Sequence, residues 1–90
     1  MKVKICVFAF LRDKLGWKQK TIELPQSEAT LHEVLSSVPD LKKYVLRDND
    51  DVNDEFMILV NGLNVKFTGG SKTIVKDGDE IAIFPPGGGG

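Results

Sequence analysis

The chain has 90 residues, and its 12 lysines and arginines against 13 aspartates and glutamates give a formal net charge of -1. This length suits one small domain, and the near balance of charge excludes a broad basic surface for nucleic acid or anionic membranes. Cys6 is the single cysteine, which excludes an internal disulfide and a cysteine-rich zinc site. No apolar run approaches the roughly 18 residues of a membrane span. We therefore expect a soluble protein of the reducing cytoplasm, with no membrane, nucleic-acid or metal partner.

The first predicted element is a strand over residues 2–11, where two sets of side chains alternate. One face carries Val3, Ile5, Val7, Ala9 and Leu11, and the other carries Lys2, Lys4, Cys6, Phe8 and Phe10. Gly16 interrupts this strand, and the alternation resumes around Ile22 and Leu24. The two segments together predict a hairpin.

One amphipathic helix is predicted after this hairpin. Thr30 and Glu33 have the spacing of a capping box. The apolar residues that follow the helical period are Leu31, Val34, Leu35 and Val38. Pro39 is expected to end the helix, and a weaker repeat at residues 41, 44 and 45 predicts one further helical turn.

A second hairpin is predicted at Asn61-Gly62, because both residues tolerate the positive φ of a two-residue turn. The last predicted strand is "EIAIF" at 80–84, and residues 68–79 are predicted as a loop with a short apolar piece. The predicted order is β, β, α, β, β, β, which indicates an α+β domain with a helix on one face of the sheet. We assign residues 1–86 to this domain and residues 87–90 to a flexible glycine tail.

Two kinds of site could use the side chains of the domain. Cys6 and His32, the single thiol and the single imidazole, could form a nucleophile and base, but one lies in the first strand and the other on the polar side of the helix. The "GGSKT" at 69–73 lacks the glycine that a phosphate-binding loop needs before its lysine. We therefore expect no catalysis by these side chains.

The segment "IAIFPPGGGG" at the end of the printed sequence has two interpretations. Its composition is that of an inert tail. Its attachment favours a projected reactive carboxylate, because the two prolines prefer an extended conformation and six such residues span about 19 Å. Glycine lets another protein approach the terminal carbonyl closely.

Three segments of the sequence, with the predicted order of elements, resemble a known family. They are "VKICVFAFLRDKLG", "ILVNGLNV" and "KDGDEIAIFPP" with the terminal glycines. The chain resembles the ubiquitin-like sulfur carriers, and within them the small subunit of molybdopterin synthase and the small archaeal modifier proteins. The resemblance implies a β-grasp fold over nearly the whole chain.

The resemblance also implies the chemistry. A partner enzyme would adenylate the Gly90 carboxylate with ATP, and sulfur would then replace AMP to give a thiocarboxylate, with Gly89 needed for close approach. The chain would bind no cofactor and would itself be a carrier rather than an enzyme. Its partners would be that adenylating enzyme and the large subunit of molybdopterin synthase. The alternatives are a modifier joined to lysines of target proteins, or sulfur delivery for thiamine synthesis or tRNA thiolation.

The residues expected to contact these partners lie at the end of the sheet that precedes the tail. They are Phe8, Phe10, Arg12, Phe84, Pro85, Pro86, Gly87 and Gly88. The first and last strands are neighbours in the family's fold, which would bring Phe8 and Phe84 together, with Arg12 as a charged contact at the rim. Gly87 and Gly88 depart from the family pattern, in which a Val-Ser or Val-Ala pair precedes the final Gly-Gly. This departure removes an apolar anchor and adds chain entropy.

Overall fold

A mixed five-stranded sheet in the order β2-β1-β7-β4-β5 forms the body of the computed structural model, which describes residues 1–86. Its strands are β1 (Lys2–Val7), β2 (Gln19–Glu23), β4 (Met57–Val60), β5 (Leu63–Asn64) and β7 (Glu80–Phe84). The neighbouring strands β1 and β7 run parallel, and the other neighbours run antiparallel. Two short strands, β3 (Glu28–Thr30) and β6 (Ile74–Lys76), form a second sheet. The predicted glycine tail, residues 87–90, lies outside the described residues, so the predicted boundary at residue 86 stays a prediction.

Three helices accompany the sheets. They are α1 (Phe10–Leu15), α2 (Leu31–Ser36) and α3 (Pro39–Val45), and two 3-10 turns cover Val65–Phe67 and Gly70–Lys72. The capping box predicted for α2 is present, because the Glu33 N–H donates to Thr30 Oγ1 and the Thr30 N–H donates to Glu33 Oε1, each at 3.1 Å.

The core lies between one face of the five-stranded sheet and the helices. The sheet contributes Val3, Ile5, Val7, Ile58, Val60, Ile81 and Ile83, and the helices contribute Leu11, Leu31, Val34, Leu35, Leu41 and Val45. The predicted α2 stripe is thus buried, and the predicted α+β class with a one-sided sheet is confirmed.

The first strand ends earlier than predicted. β1 stops at Val7, and Ala9 adopts φ 53° and ψ -134°, which turns the chain out of the sheet and into α1. Leu11 is buried as predicted, but it reaches the core from a helix. Gly16, in the left-handed conformation, ends α1 with its N–H donated to the Arg12 carbonyl at 2.9 Å. The predicted pairing of these two segments is confirmed, since β1 and β2 run antiparallel as neighbours, but a helix and not a simple loop connects them.

Two further expectations need correction. Pro39 begins α3 rather than ending α2, since proline is tolerated in the first turn of a helix, where the missing N–H would have no partner. Residues 74–76 form a strand paired with Glu28–Thr30 rather than a loop. Three-residue strands are too short to show alternation. The predicted hairpin at Asn61-Gly62 is confirmed, with φ 50° and 84° at the two turn residues.

Ala9 is the residue at which we expect a glycine to stabilise the fold. A residue with a Cβ is strained at this φ and ψ by about 1–3 kcal/mol, and Ala9→Gly would relieve that strain at an entropic cost of about 0.4–1 kcal/mol. We expect Ala9→Gly to raise the free energy of unfolding by about 1 kcal/mol, and Ala9→Val to lower it by at least as much because the residue is β-branched. Urea denaturation of the three proteins tests this, and a less stable Ala9→Gly variant would contradict it.

Candidate functional site

The candidate site lies on the face of the five-stranded sheet that the helices leave uncovered. The pairing register places Ala82 between Cys6 of β1 and Leu59 of β4, and Phe84 opposite Met57. Phe8 follows β1 directly. We call the six apolar side chains of this face the open-face patch: Cys6, Phe8, Met57, Leu59, Ala82 and Phe84. Met57 has 44% of its surface exposed, and the other five side chains are half-buried.

The two phenylalanines of the open-face patch stack on each other. The ring centroids of Phe8 and Phe84 are 4.3 Å apart and the ring planes differ by 6°. The parallel pairing of Val7 with Ile83 brings the next residue of each strand side by side, which is the cause of this contact. The predicted meeting of Phe8 and Phe84 beside the start of the tail is therefore confirmed.

Arg12 belongs to the same cluster. Its guanidinium carbon lies 4.8 Å from the centroid of the Phe8 ring, and its Nε donates to the Val7 carbonyl at 2.8 Å. A guanidinium over an aromatic face is attracted to the ring electrons. Arg12 was predicted at the rim of this surface, and the structure brings it into direct contact with Phe8.

Phe10 lies elsewhere. Because the strand ends at Val7, Phe10 starts α1 instead of continuing the alternation, and its ring meets that of Phe56 edge-on at 6.4 Å. Phe56 belongs to the core, while Phe10 keeps 40% of its surface exposed. The predicted place of Phe10 on the face of Phe8 is therefore wrong, and its contact with a partner stays a prediction.

The remaining predicted contact residues follow Phe84. Pro85 and Pro86 are half-buried and continue directly from β7. Gly87, Gly88, Gly89 and Gly90 lie outside the described residues, so their predicted roles stay predictions.

Met57 and Leu59 are members of the open-face patch that the sequence analysis missed. The segment "FMILV" reads as an apolar run, yet Ile58 and Val60 are buried and the residues between them point the other way. Strand alternation applied to this run, as it was to β1, would have found both.

Cys6 and His32 lie on different elements with the sheet between them. Cys6 belongs to the open-face patch, and His32 lies on α2, with its Nε2 3.2 Å from Asp50 Oδ1. They form no nucleophile and base pair.

The other polar groups of residues 1–86 form no cluster that suggests chemistry. A concave region of about 570 Å³ beside the segment 47–56 contains Arg47, Asp54 and Lys66 in its lining. Arg47 donates to Asp54 at 2.6 Å, and this hydrogen bond holds the pKa of Asp54 below its ordinary value. No three His, Cys, Asp or Glu side chains in the described part of the chain could hold a metal ion. Lys72 ends a 3-10 turn that leads into a strand, unlike a phosphate-binding loop.

The helices of residues 1–86 include none that is long and apolar enough to cross a membrane.

The fold and the open-face patch together define a class of protein. It is a β-grasp domain in which the central strand, here β7, ends at an aromatic surface and is followed in sequence by glycines. The chain belongs to the ThiS family, whose model matches residues 5–90. It is thus a member of the ubiquitin-like sulfur carriers and modifiers, as the sequence resemblance predicted.

Similar proteins support this assignment. A protein of Archaeoglobus fulgidus named as a candidate sulfur carrier is 31% identical over 77 residues, which cover 80% of this chain and 86% of that protein. The crystal structure of SAMP1 from Haloferax volcanii has a TM-score of 0.82 at 26% identity, with both chains covered completely.

Two further solved structures extend the comparison. A protein of Pyrococcus furiosus named as a candidate subunit 1 of a molybdopterin converting factor has a TM-score of 0.70 at 29% identity, with 96% of this chain and 98% of that chain covered. A chain in the BexX/CysO complex of Amycolatopsis orientalis has a TM-score of 0.71 at 29% identity, with 98% and 99% covered. The β-grasp fold predicted from the resemblance is confirmed.

We expect Cys6 and His32 to be dispensable for any activity of this chain's terminus. Cys6→Ser and His32→Ala should be activated by a cognate adenylating enzyme at near the parent rate, because Cys6 lies on the uncovered face of the sheet while His32 lies on α2 and contacts Asp50. The measurement is the rate of pyrophosphate release with ATP and each folded variant. A rate tenfold lower for either variant would restore a role for that side chain.

Proposed function

We propose that this protein carries sulfur on its C-terminal Gly90 for the synthesis of molybdopterin. A partner enzyme would join the Gly90 carboxylate to the α-phosphorus of ATP and release pyrophosphate. A sulfur nucleophile would then displace AMP, because a bare carboxylate is a poor electrophile and AMP is a far better leaving group. The product would be a thiocarboxylate whose sulfur is itself a nucleophile. Gly89 would let the partner's groups approach the terminal carbonyl.

The observation that carries this proposal is the Phe8–Phe84 stack at the end of β7. An apolar surface beside the start of the tail provides a binding surface for a partner that acts on the terminus. Aromatic side chains with arginine are enriched at protein interfaces. The family match through residue 90 supports a function of the terminus itself.

The partners in this proposal are proteins. An adenylating enzyme would dock on the open-face patch and consume ATP, and the large subunit of a molybdopterin synthase would then take the same surface. The Pyrococcus furiosus relative supports the molybdopterin role, and the Amycolatopsis orientalis complex supports docking by a protein partner. ATP-dependent activation would take place in the cytoplasm.

Protein modification is the second candidate function, and the SAMP1 match over the whole of both chains favours it. In this case the activated Gly90 would form an amide with a lysine of a target protein. Both functions need the same activated terminus, so the first steps are shared.

One experiment tests the carrier function and a second separates it from protein modification. Incubation with the cognate adenylating enzyme, ATP and a sulfur donor should increase the mass of the intact protein by the difference between sulfur and oxygen. An unchanged mass would contradict the proposal. An immunoblot of the source cells should show the free protein alone if it is a carrier, whereas a ladder of high-mass conjugates would favour the modifier.

A further inference from the structure

Arg12 makes two contacts with groups of its own chain. Its Nε donates to the Val7 carbonyl at 2.8 Å, and its guanidinium carbon lies 4.8 Å from the Phe8 centroid. Phe84 stacks on the same Phe8 ring at a centroid distance of 4.3 Å. Phe8 therefore contacts both Arg12 and Phe84.

The turn at Ala9 places Arg12 in this position. Ala9 has φ 53° and ψ -134°, a conformation that residues with a Cβ rarely adopt. The turn is held by hydrogen bonds from the Leu11 N–H to the Phe8 carbonyl at 3.2 Å and from the Arg12 N–H to the Ala9 carbonyl at 3.0 Å. Strained backbone persists where the surrounding contacts determine it, and such residues cluster at functional sites.

We propose that Arg12 is a positioning residue: it holds Phe8 against Phe84 and so fixes the aromatic surface at the point where β7 leads into the tail. This inference rests on the proposed function, because it assigns the partner's recognition to the ordered aromatic pair. It differs from a rim contact, in which the partner would bind the charge of Arg12. The difference is that the intramolecular contacts need the planar guanidinium, and a charge contact does not.

Arg12→Lys separates the two roles. Lysine keeps the positive charge but is a point charge without the planar, forked donor group that can donate to the Val7 carbonyl while its carbon lies over the Phe8 ring. Arg47→Lys is the matched control, since Arg47 is the other arginine of the chain and its partner, Asp54, lies outside the open-face patch.

The first readout uses the free protein. We expect Arg12→Lys to move the ring-proton NMR shifts of Phe8 and Phe84 toward values of unstacked rings, and Arg47→Lys to leave them unchanged.

In the parent protein, the Arg12 Nε–H should exchange with water at least about tenfold more slowly than that of Arg47, because it donates to a part-buried carbonyl. Equal exchange rates would overturn the proposal even if the Arg12→Lys variant failed to fold.

The second readout is affinity. Freeing the Phe8 side chain adds an ordering cost on binding, so Arg12→Lys should raise the Kd for the adenylating enzyme by about three- to tenfold. Weaker binding with unchanged ring shifts would identify Arg12 as a partner contact and overturn the positioning role. Unchanged affinity would also overturn the positioning role. If the parent protein gained no sulfur, the proposed function would fail, while the ring shifts and exchange rates would still report on Arg12.

Discussion

Replacing Gly90 by valine should reduce the rate of thiocarboxylate formation by about a hundredfold, the penalty expected when a reacting group is misplaced by about 1 Å. The physical reason is the added β-branched side chain beside the carbonyl, which keeps the activating groups of the partner away from the carbon that they must reach. Intact-protein mass spectrometry over a time course with the adenylating enzyme, ATP and a sulfur donor measures the rate.

Gly87→Val is the matched control for this substitution. It makes the same chemical change three residues earlier, at the position where the family usually has a valine, and we expect it to keep or increase the rate. Deletion of Gly90 is a poorer test, because the shortened chain would still end in Gly-Gly and would report on the length of the tail. Equal rates for the parent and Gly90→Val, or an equal loss in Gly87→Val, would contradict the assignment of Gly90.

Phe84→Ala should weaken binding to the adenylating enzyme by about thirtyfold or more, since a central aromatic residue of an interface typically contributes over 2 kcal/mol. Phe84 is half-buried, stacks on Phe8 and lies opposite Met57, so it lies between these two side chains in the open-face patch. Phe8→Ala should have a similar effect. Isothermal titration calorimetry with the purified enzyme measures the affinity, and the NMR spectrum of each variant shows whether it is folded.

Phe67→Ala provides the control for both phenylalanine variants. Phe67 lies in the 3-10 turn after β5, outside the open-face patch, and 80% of its surface is exposed. Its removal should leave the affinity unchanged. If Phe84→Ala and Phe8→Ala bind as the parent does while folded, the open-face patch is not the docking surface.

The sequence predicted those parts of the fold that have a strong local pattern. The apolar stripe of α2 was predicted because it repeats over several residues. Its capping box and the Asn61-Gly62 turn were predicted because they depend on specific residue types. The end of β1 was missed, because Phe8, Ala9 and Phe10 continue the alternation in sequence while the backbone of Ala9 leaves the strand. Tertiary contacts of the turn outweigh local preference at this residue.

The residues of the candidate site were likewise predicted from the sequence only in part. Phe8 and Phe84 were found because each lies at the end of a strand with clear alternation, and the resemblance supplied the pairing of those strands. Phe10 was misplaced because its assignment depended on a strand that ends three residues earlier. The contact of Arg12 with Phe8 depends on a helix within the β1–β2 connection, which no periodicity predicted.

The central position of β7 has a consequence for the order in which the protein matures. β7 lies between β1 and β4, so the middle of the sheet is completed by the strand that is made after the other four strands of this sheet. Pairing of segments so far apart in sequence is slow, because the ends of a long loop must meet before their contacts form. The stacked pair takes one ring from each end of the described chain. An unfinished or misfolded chain would therefore lack the stacked pair, and under the proposed function the adenylating enzyme would consume ATP on folded molecules alone.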